Sequence, residues 1–161
     1  MGNESAARSG FVIRAFDAAA DPAQVAEILR AAREASGWSE QALRETAVLP
    51  GVIVLVSERE GAISGIVAAR QVLDEGEILN LAVKREMRRQ GEGRALVRRV
   101  LQQFAGRKVS RVFLEVRESN AGAIAFYRGL GFQAIGTRPD YYQDPKESAT
   151  VMELWLRKFT V

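Results

Sequence analysis

The sequence predicts an α+β fold in which a mixed, mostly antiparallel central sheet is flanked by helices on both faces. The hydrophobic periodicities follow the order β-α-α-β-β-β-α-β-α-β-β along the chain. In addition, an apolar strand that ends at Val83 is followed by a basic glycine turn, an amphipathic helix and another apolar strand. One helix between two strands makes them parallel neighbours, so the sheet is mixed.

Length and composition are typical of a soluble protein with one domain. The chain has 161 residues, of which 47% are hydrophobic and 27% charged. We predict a single domain over residues 11–158 and a flexible polar leader over residues 1–10. A net charge of +3 without a basic aromatic patch does not favour nucleic-acid binding. No apolar run reaches membrane-spanning length and no signal peptide is evident, so we expect a cytoplasmic protein that does not bind membranes.

The residue types that are missing restrict the chemistry. The sequence contains neither cysteine nor histidine. Disulfides, Cys/His zinc sites and nucleophilic pairs that need histidine or cysteine are therefore excluded, and we expect no metal. Acid–base catalysis would have to use Asp, Glu, Tyr, Lys or a chain terminus.

The first third of the chain predicts one strand and two helices. Residues 11–16 alternate between apolar and polar and predict a strand. A helix is expected from Pro22 to about Ala35, with Asp21 as its N-cap. Ser39 is expected to cap a short second helix. The buried stripe of the first helix consists of Val25, Ile28 and Leu29.

Three antiparallel strands are predicted next. Gly51–Val56 is a β-branched run, and Ala62–Val72 follows it after a turn, so the two form a hairpin. Asp74–Gly76 turns the chain into the third strand, Glu77–Val83.

The parallel part of the sheet follows. Apolar residues at helical spacing predict a helix over Arg94–Phe104, with Gly106 at its C-cap. Arg111–Arg117 is then the strand parallel to Glu77–Val83, and Ala121–Leu130 is the next helix.

The end of the chain predicts two more strands. They are Phe132–Thr137 and Ala149–Leu156, and Arg138–Ser148 is expected to be a polar loop that carries Tyr141 and Tyr142.

The turn before the Arg94–Phe104 helix is a candidate anion site. The first N–H groups of a helix have no partner inside the helix, and they favour an anion such as phosphate. A P-loop would need Lys-Ser/Thr after Gly93, but Arg94-Ala95 follows, and a dinucleotide fingerprint would need a third glycine where Leu96 stands. A tight turn with solvated arginines is the alternative interpretation.

The turn resembles the pyrophosphate loop Gln/Arg-x-x-Gly-x-Gly/Ala of the GCN5-related N-acetyltransferases (GNAT), in which Arg88, Gly91 and Gly93 fill the fixed positions. The element order resembles the GNAT fold over about residues 11–158. Within the family, the motifs are similar to those of ribosomal-protein-alanine N-acetyltransferases. They are Trp38-Ser39-Glu40, Asn80 to Val83, Leu114 to Arg117, Ser119-Asn120-Ala121, Ala125-Phe126-Tyr127, Leu130-Gly131-Phe132, and Arg138 with Tyr141-Tyr142.

The resemblance implies that acetyl-CoA is the acetyl donor and that particular residues bind it. Backbone groups of Leu81, Ala82 and Val83 would bind the pantetheine arm, and Asn120 would bond to it or nearby. The pyrophosphate would be held by the loop residues Arg88, Arg89, Gln90, Gly91, Glu92, Gly93 and Arg94. Arg88 could instead be simply solvated.

The resemblance also implies the catalytic groups. Glu115 fills the position of the base that accepts a proton from the acceptor ammonium, directly or through water, and Tyr127 fills the position of the acid that protonates the CoA thiolate. Both would lie near the gap between the two parallel strands. Glu115 could instead be a solvated strand residue and Tyr127 a core aromatic. Glu77 is either a second, water-relaying carboxylate or a solvated strand start.

Three aromatic residues are candidates for acceptor binding. Trp38 either packs in the core beneath a loop or forms part of the acceptor wall. Tyr141 and Tyr142 are interpreted as residues of the acceptor loop. One departure from the family pattern is Glu92, because a carboxylate between the two glycines would repel a pyrophosphate unless it turned to solvent.

The resemblance implies an acetyl-CoA-dependent N-acetyltransferase that acts by direct transfer, because no cysteine can hold the acetyl group. The expected acceptor is the N-terminal alanine of a ribosomal protein. The alternatives are acetylation of a lysine side chain or a small amine, and a non-catalytic acyl-CoA-binding protein. The sequence gives no oligomeric state.

Overall fold

A computed structural model describes residues 10–32 and 35–156 of the chain. The expected leader, apart from Gly10, and residues 157 and 158 of the expected domain lie outside the described residues. So do residues 33 and 34. The first helix was expected to run to about Ala35, but it ends at Ala31, and Ala32 already has an extended backbone.

Seven strands and four helices follow one another in the described residues. The strands are β1 (Val12–Ala15), β2 (Val52–Arg59), β3 (Ala62–Val72), β4 (Glu75–Val83), β5 (Arg111–Arg117), β6 (Gln133–Gln143) and β7 (Lys146–Trp155). The helices are α1 (Pro22–Ala31), α2 (Glu40–Ala47), α3 (Glu92–Gly106) and α4 (Ala121–Gly129).

The strands belong to one mixed sheet in the order β1-β2-β3-β4-β5-β7-β6. β4 and β5 are parallel and pair through Glu75–Arg111, Gly76–Val112 and Glu77–Phe113. The pairs β1–β2, β2–β3, β5–β7 and β6–β7 are antiparallel. The predicted α+β class, with a mostly antiparallel sheet flanked by helices, is confirmed.

Contacts along the chain define two compact units within the described residues. The first contains residues 10–32, 35–70 and 79–103, and the second contains residues 71–78 and 104–156. A single domain over residues 11–158 therefore stays a prediction.

The core of the first unit forms where α1 and α2 bury apolar side chains with those of β2, β3 and the end of β4. Its members are Val25, Ala26, Ile28, Leu29, Ala32, Leu43, Val54, Val56, Ile63, Ile66, Ala68 and Ala82. The predicted stripe of α1 is thus confirmed as core, since all three of its residues belong to this cluster.

The predicted caps have different outcomes. Ser39 caps α2 by accepting a hydrogen bond from the Ala42 N–H at 3.1 Å. Asp21 is the N-cap residue of α1, with Pro22 at the first helical position, as predicted, but its side chain makes no capping bond. Its carboxylate instead accepts two bonds from Arg14, at 2.6 and 3.0 Å, and one from the Asp17 N–H at 2.7 Å. The Arg14 guanidinium holds the pKa of Asp21 below its usual value.

The bounds of α3 also differ from those predicted. The helix begins at Glu92, two residues before the predicted start at Arg94, and Gly106 is its last residue rather than its C-cap. The left-handed conformation that often ends a helix occurs at Lys108, with φ of 63°.

The predicted loop over Arg138–Ser148 is wrong. β6 continues to Gln143 and β7 begins at Lys146, so most of this segment is the end of a hairpin. The strand was missed because nearly every residue of β6 is exposed, and a polar sequence does not prevent pairing with β7. The register shifts between Arg138 and Tyr142, so the hairpin is irregular there.

Gly76 offers a test of packing in the second unit. A β-carbon on Gly76 would lie 2.5 Å from Cε2 of Phe104, whose side chain is fully buried. We expect Gly76→Ala to lower the free energy of unfolding by about 1–3 kcal/mol, measured by chemical denaturation. Gly136→Ala in β6 is the matched control, because its β-carbon would meet no atom within 4 Å. Equal effects of the two substitutions would contradict this account of Gly76.

Candidate functional site

The segment between β4 and α3 exposes helix N–H groups. After a short 3-10 turn at Arg85–Met87, the chain passes through Arg89 and Gly91, whose φ angles are 63° and 83°. The Ala95 N–H donates to the Gly91 carbonyl at 3.0 Å, which is the bond that starts the helix. The N–H groups of the three residues before Ala95 therefore have no acceptor within the helix, as an anion site requires.

Cationic side chains surround this helix end. Arg88, Arg89 and Arg94 are all exposed. The Arg88 Nε donates to the Val83 carbonyl at 3.2 Å, which ties the segment to the end of β4. The combination of positive side chains with the positive end of a helix dipole favours a bound anion.

Glu92 does not turn to solvent. It is the first residue of α3, and its side chain is 1% exposed. Its Oε2 accepts from Arg59 Nε at 2.9 Å, and its Oε1 accepts from the Ser64 hydroxyl. The carboxylate is therefore paired inside the first unit, which removes the reason for expecting it to repel an anion at the loop.

The predicted pantetheine-binding residues form the end of β4. Ala82 is buried, whereas Leu81 and Val83 are half-buried, as alternation along a strand requires. The parallel register with β5 stops at the pair Glu77–Phe113, before this part of β4.

A cavity of about 720 Å³ lies in the first unit. Its lining includes Glu27 and Ile28 of α1, Ala32 just after that helix, and Val83, Lys84 and Arg88 at and after the end of β4. Arg88 lines this cavity and also belongs to the loop of residues 88–94, called the glycine loop below. The first unit therefore has space for a ligand beside the candidate anion site.

Trp38 packs against the core cluster of the first unit and is half-buried. This contact favours the core interpretation that the sequence left open. Nearby, Asn80 is bound to the backbone of Ser36 in both directions, with its amide N donating at 2.8 Å and its Oδ1 accepting at 3.3 Å. Asn80 thus fastens the segment before α2 to β4, a role that its position in the motif did not reveal.

In the second unit, Glu115 lies on β5 opposite Val151 of β7. It shares the more exposed face of the strand with Phe113, as alternation predicted. Arg138 Nη1 donates to Glu115 Oε1 at 3.0 Å. Glu115 Oε2 is buried and has no hydrogen-bond partner among the described residues. The carboxylate therefore has one oxygen that no described hydrogen-bond donor occupies.

Tyr141 and Tyr142 lie beside Glu115. Their rings pack edge to face with centroids 4.9 Å apart, and the Tyr142 hydroxyl donates to the Glu115 carbonyl at 3.5 Å. The Arg138 guanidinium lies 4.6 Å from the Tyr141 ring centroid. Burial and the Glu115 carboxylate raise the pKa of Tyr141, and burial with nearby groups raises the pKa of Tyr142 to about 12.

Tyr127 is buried in the second unit. Its ring packs edge to face on Phe126 at 5.0 Å and on Phe132 at 5.5 Å between centroids. Burial raises the pKa of its hydroxyl, so the side chain carries its proton at neutral pH. It combines the packing of a core aromatic with the protonation state that an acid needs.

Asn120 is the N-cap of α4. Its Oδ1 accepts from the Ala123 N–H at 3.0 Å, so that oxygen is already used within the chain. The amide N–H groups of Asn120 are the side-chain groups that remain for the predicted contact with the pantetheine arm.

The structure thus brings Glu115, Tyr141 and Tyr142 into one cluster in the second unit, and it adds Arg138. The sequence signal for Arg138 was its spacing before the two tyrosines, but the partner of Glu115 could not be read from it. The glycine loop forms a separate group in the first unit. Within the described residues, no helix is long and apolar enough to cross a membrane. The same residues contain no group of three or more Asp, Glu, His or Cys that could hold a metal.

The chain matches the acetyltransferase (GNAT) family over residues 23–132. This chain therefore belongs to the GNAT family, and the predicted resemblance is confirmed.

Individual relatives carry more specific names. The chain is 40% identical over 98 residues to the [ribosomal protein bS18]-alanine N-acetyltransferase of Escherichia coli K12, an alignment that covers 60% of this chain and 66% of the relative. The chain thus matches slightly less than two thirds of that protein.

Solved structures agree with the fold. The crystal structure of the ribosomal-protein-S18-alanine N-acetyltransferase from Escherichia coli superposes with a TM-score of 0.79 at 31% identity, covering 91% of this chain and 94% of that chain. Ard1 from Thermoplasma volcanium superposes with a TM-score of 0.82 at 26% identity, covering 91% and 97% of the two chains.

The tyrosines predict a pH dependence of stability. The pKa values of Tyr127, Tyr141 and Tyr142 are all raised above the value of about 10 for an unfolded chain. Above that pH the folded protein keeps protons that the unfolded chain has lost, so the free energy of unfolding should fall as pH rises. We expect spectrophotometric titration of tyrosinate to be displaced above pH 10 while the protein stays folded.

Tyr142→Phe serves as the control for this titration and should remove the ionisation near pH 12. A full tyrosine step near pH 10 in a protein whose circular dichroism is still native would contradict the expected shifts.

Proposed function

We propose that this chain is an acetyl-CoA-dependent N-acetyltransferase whose acceptor is the N-terminal alanine of a ribosomal protein of the bS18 kind. Membership of the GNAT family supports acetyl transfer. The names of the two Escherichia coli proteins support the acceptor. The observation that carries the proposal is the Glu115 carboxylate, which has one buried oxygen without a partner among the described residues.

Acetyl-CoA would supply the acetyl group as a thioester. The residues at the start of α3 suit its pyrophosphate, because N–H groups ahead of Ala95 and the exposed Arg89 and Arg94 offer donors and positive charge. The predicted binding residues are retained here as proposals: Leu81, Ala82, Val83, Arg88, Arg89, Gln90, Gly91, Gly93, Arg94 and Asn120. For Glu92 we propose only the backbone N–H, since its carboxylate is bound within the chain.

Glu115 would accept the proton that the acceptor ammonium must lose before its nitrogen can attack. Oε1 is held by Arg138 at 3.0 Å, and this bond orients the carboxylate while Oε2 remains available. The Glu77 carboxylate helps to raise the pKa of Tyr141 by electrostatic repulsion of the tyrosinate. This effect supports Glu77 as a second carboxylate near the cluster. The proton could pass directly or through one water.

Tyr127 would give a proton to the leaving sulfur. Its raised pKa keeps the hydroxyl protonated at neutral pH, and its packing between Phe126 and Phe132 fixes the ring. Tyr141 and Tyr142 would bind the acceptor, because they lie beside Glu115 on the exposed β6. Trp38 has weaker support in this role, since it packs on the core.

A panel of acceptors tests the proposed substrate. CoA release would be followed with acetyl-CoA and three amines: a peptide with a free N-terminal alanine from bS18, a peptide with a blocked N-terminus and an internal lysine, and a polyamine. We expect turnover with the free-alanine peptide only. Turnover confined to lysine or polyamine would keep the acetyltransferase and overturn the acceptor. Acetyl-CoA binding without turnover of any acceptor would favour a non-catalytic acyl-CoA-binding protein.

Two substitutions test the catalytic roles. Glu115→Gln and Tyr127→Phe should each lower kcat by about 10²–10⁴-fold, the range typical of general acid–base catalysis, while the Kd for acetyl-CoA stays within about twofold. Glu153→Gln is the matched control for Glu115→Gln, because Glu153 is also a strand glutamate paired with an arginine, at 3.7 Å from Arg111. A kcat for Glu115→Gln equal to that of Glu153→Gln would refute the proposed base.

A further inference from the structure

Glu92 is a buried charged group that the proposed chemistry does not use. It stands at the start of α3, where the helix N–H groups are exposed, yet its side chain is 1% exposed. Carboxylates are almost never buried so fully unless they are paired, and here both oxygens have partners.

The partners of Glu92 come from both strands of one hairpin. Arg59 is the last residue of β2, and its Nε lies 2.9 Å from Glu92 Oε2. Ser64, the third residue of β3, donates its hydroxyl to Glu92 Oε1. Between the two strands the chain turns through Glu60 and Gly61. One carboxylate therefore fastens the first turn of α3 to both strands beside their turn.

Packing holds the next turn of α3 against the same strands. Leu96 lies four residues after Glu92, so both side chains project from the same face of the helix. A β-carbon on Gly65 would lie 3.2 Å from Leu96 Cδ1 and 2.6 Å from Ser57 Oγ, so the helix approaches β3 closely at a residue without a side chain. Leu96 is fully buried. Glu92 thus occupies the first position of the buried stripe, where an apolar residue would provide packing alone.

We infer that Glu92 is a positioning residue for acetyl-CoA. Its own backbone N–H and those of Gly93 and Arg94 precede the first helical donor, the Ala95 N–H. Fixing the Glu92 side chain therefore fixes the donors that would hold the pyrophosphate, and Arg59 neutralises the carboxylate. This inference rests on the proposed function, because it assigns a role in binding the donor.

The test measures the Kd for acetyl-CoA by calorimetry and the Tm of the same samples. We expect Glu92→Gln to raise the Kd by about tenfold, because the half-buried Arg59 loses its charged partner and the turn shifts. The double substitution Arg59→Met with Glu92→Leu should recover most of the affinity, to within about threefold of wild type, since an apolar pair can replace a buried ion pair.

Asp21→Asn is the matched control. Asp21 is also a buried carboxylate at the start of a helix, and it pairs with Arg14 at 2.6 Å. This control should lower the Tm and leave the Kd unchanged. If Glu92→Gln does not fold, Ser64→Ala keeps the ion pair, removes one hydrogen bond, and should raise the Kd by about threefold.

Two results would overturn the inference while wild type still binds acetyl-CoA. In the first, Glu92→Gln lowers the Tm as Asp21→Asn does but leaves the Kd equal to that of wild type. Where Glu92→Gln does not fold, the same result for Ser64→Ala counts instead. The ion pair between Glu92 and Arg59 would then only stabilise the fold. The second is tighter binding by Glu92→Gln, which would mean that the carboxylate repels the pyrophosphate. A wild-type protein that does not bind acetyl-CoA would instead overturn the proposed function, and the inference with it.

Discussion

The parallel pairing of β4 with β5 is the constraint on which the rest of the architecture depends. Parallel strands cannot be joined by a tight turn, so the chain needs a crossover, and α3 is that crossover. The end of β4 must therefore lead into the start of a helix. A helix start carries N–H groups without helical partners, which is why the glycine loop falls where it does. Gly76, at the centre of the paired residues, leaves the space that Phe104 fills.

Three carboxylates show how the same group serves different purposes. Asp21 and Glu92 are buried near helix starts and have an arginine and further donors on their oxygens. Removing one partner of such a buried pair typically costs about 3–5 kcal/mol, so these pairs fix local structure strongly. Glu115 differs, because Arg138 satisfies one oxygen and the other has no partner among the described residues. That open oxygen is the reason why we propose Glu115, and not Asp21 or Glu92, as the base.

The tyrosine-bearing hairpin shows how a polar segment can be ordered. β6 is exposed along nearly its whole length, so its sequence lacks the alternation that normally predicts a strand. Its order comes from pairing with β7, and Arg138 and Arg117 add contacts with the rings of Tyr141 and Tyr142 at 4.6 and 4.2 Å. The hairpin thus supports aromatic side chains next to Glu115 on a strand that is itself exposed.

The sequence by itself determined the element order, the parallel pair around α3, the face of β5 that carries Glu115, and the family. These follow from local periodicity, glycine spacing and motif order, which are properties of neighbouring residues. Only the tertiary structure decided the partners of buried charges. Asp21 was expected to cap α1 and binds Arg14, and Glu92 was expected to repel an anion and binds Arg59 and Ser64. Only the tertiary structure, likewise, showed that Tyr141 and Tyr142 lie on a strand, because that strand forms by pairing with β7. The physical reason is that these interactions join different parts of the fold, and the local periodicity of a sequence does not encode which group of another element will lie within hydrogen-bonding distance.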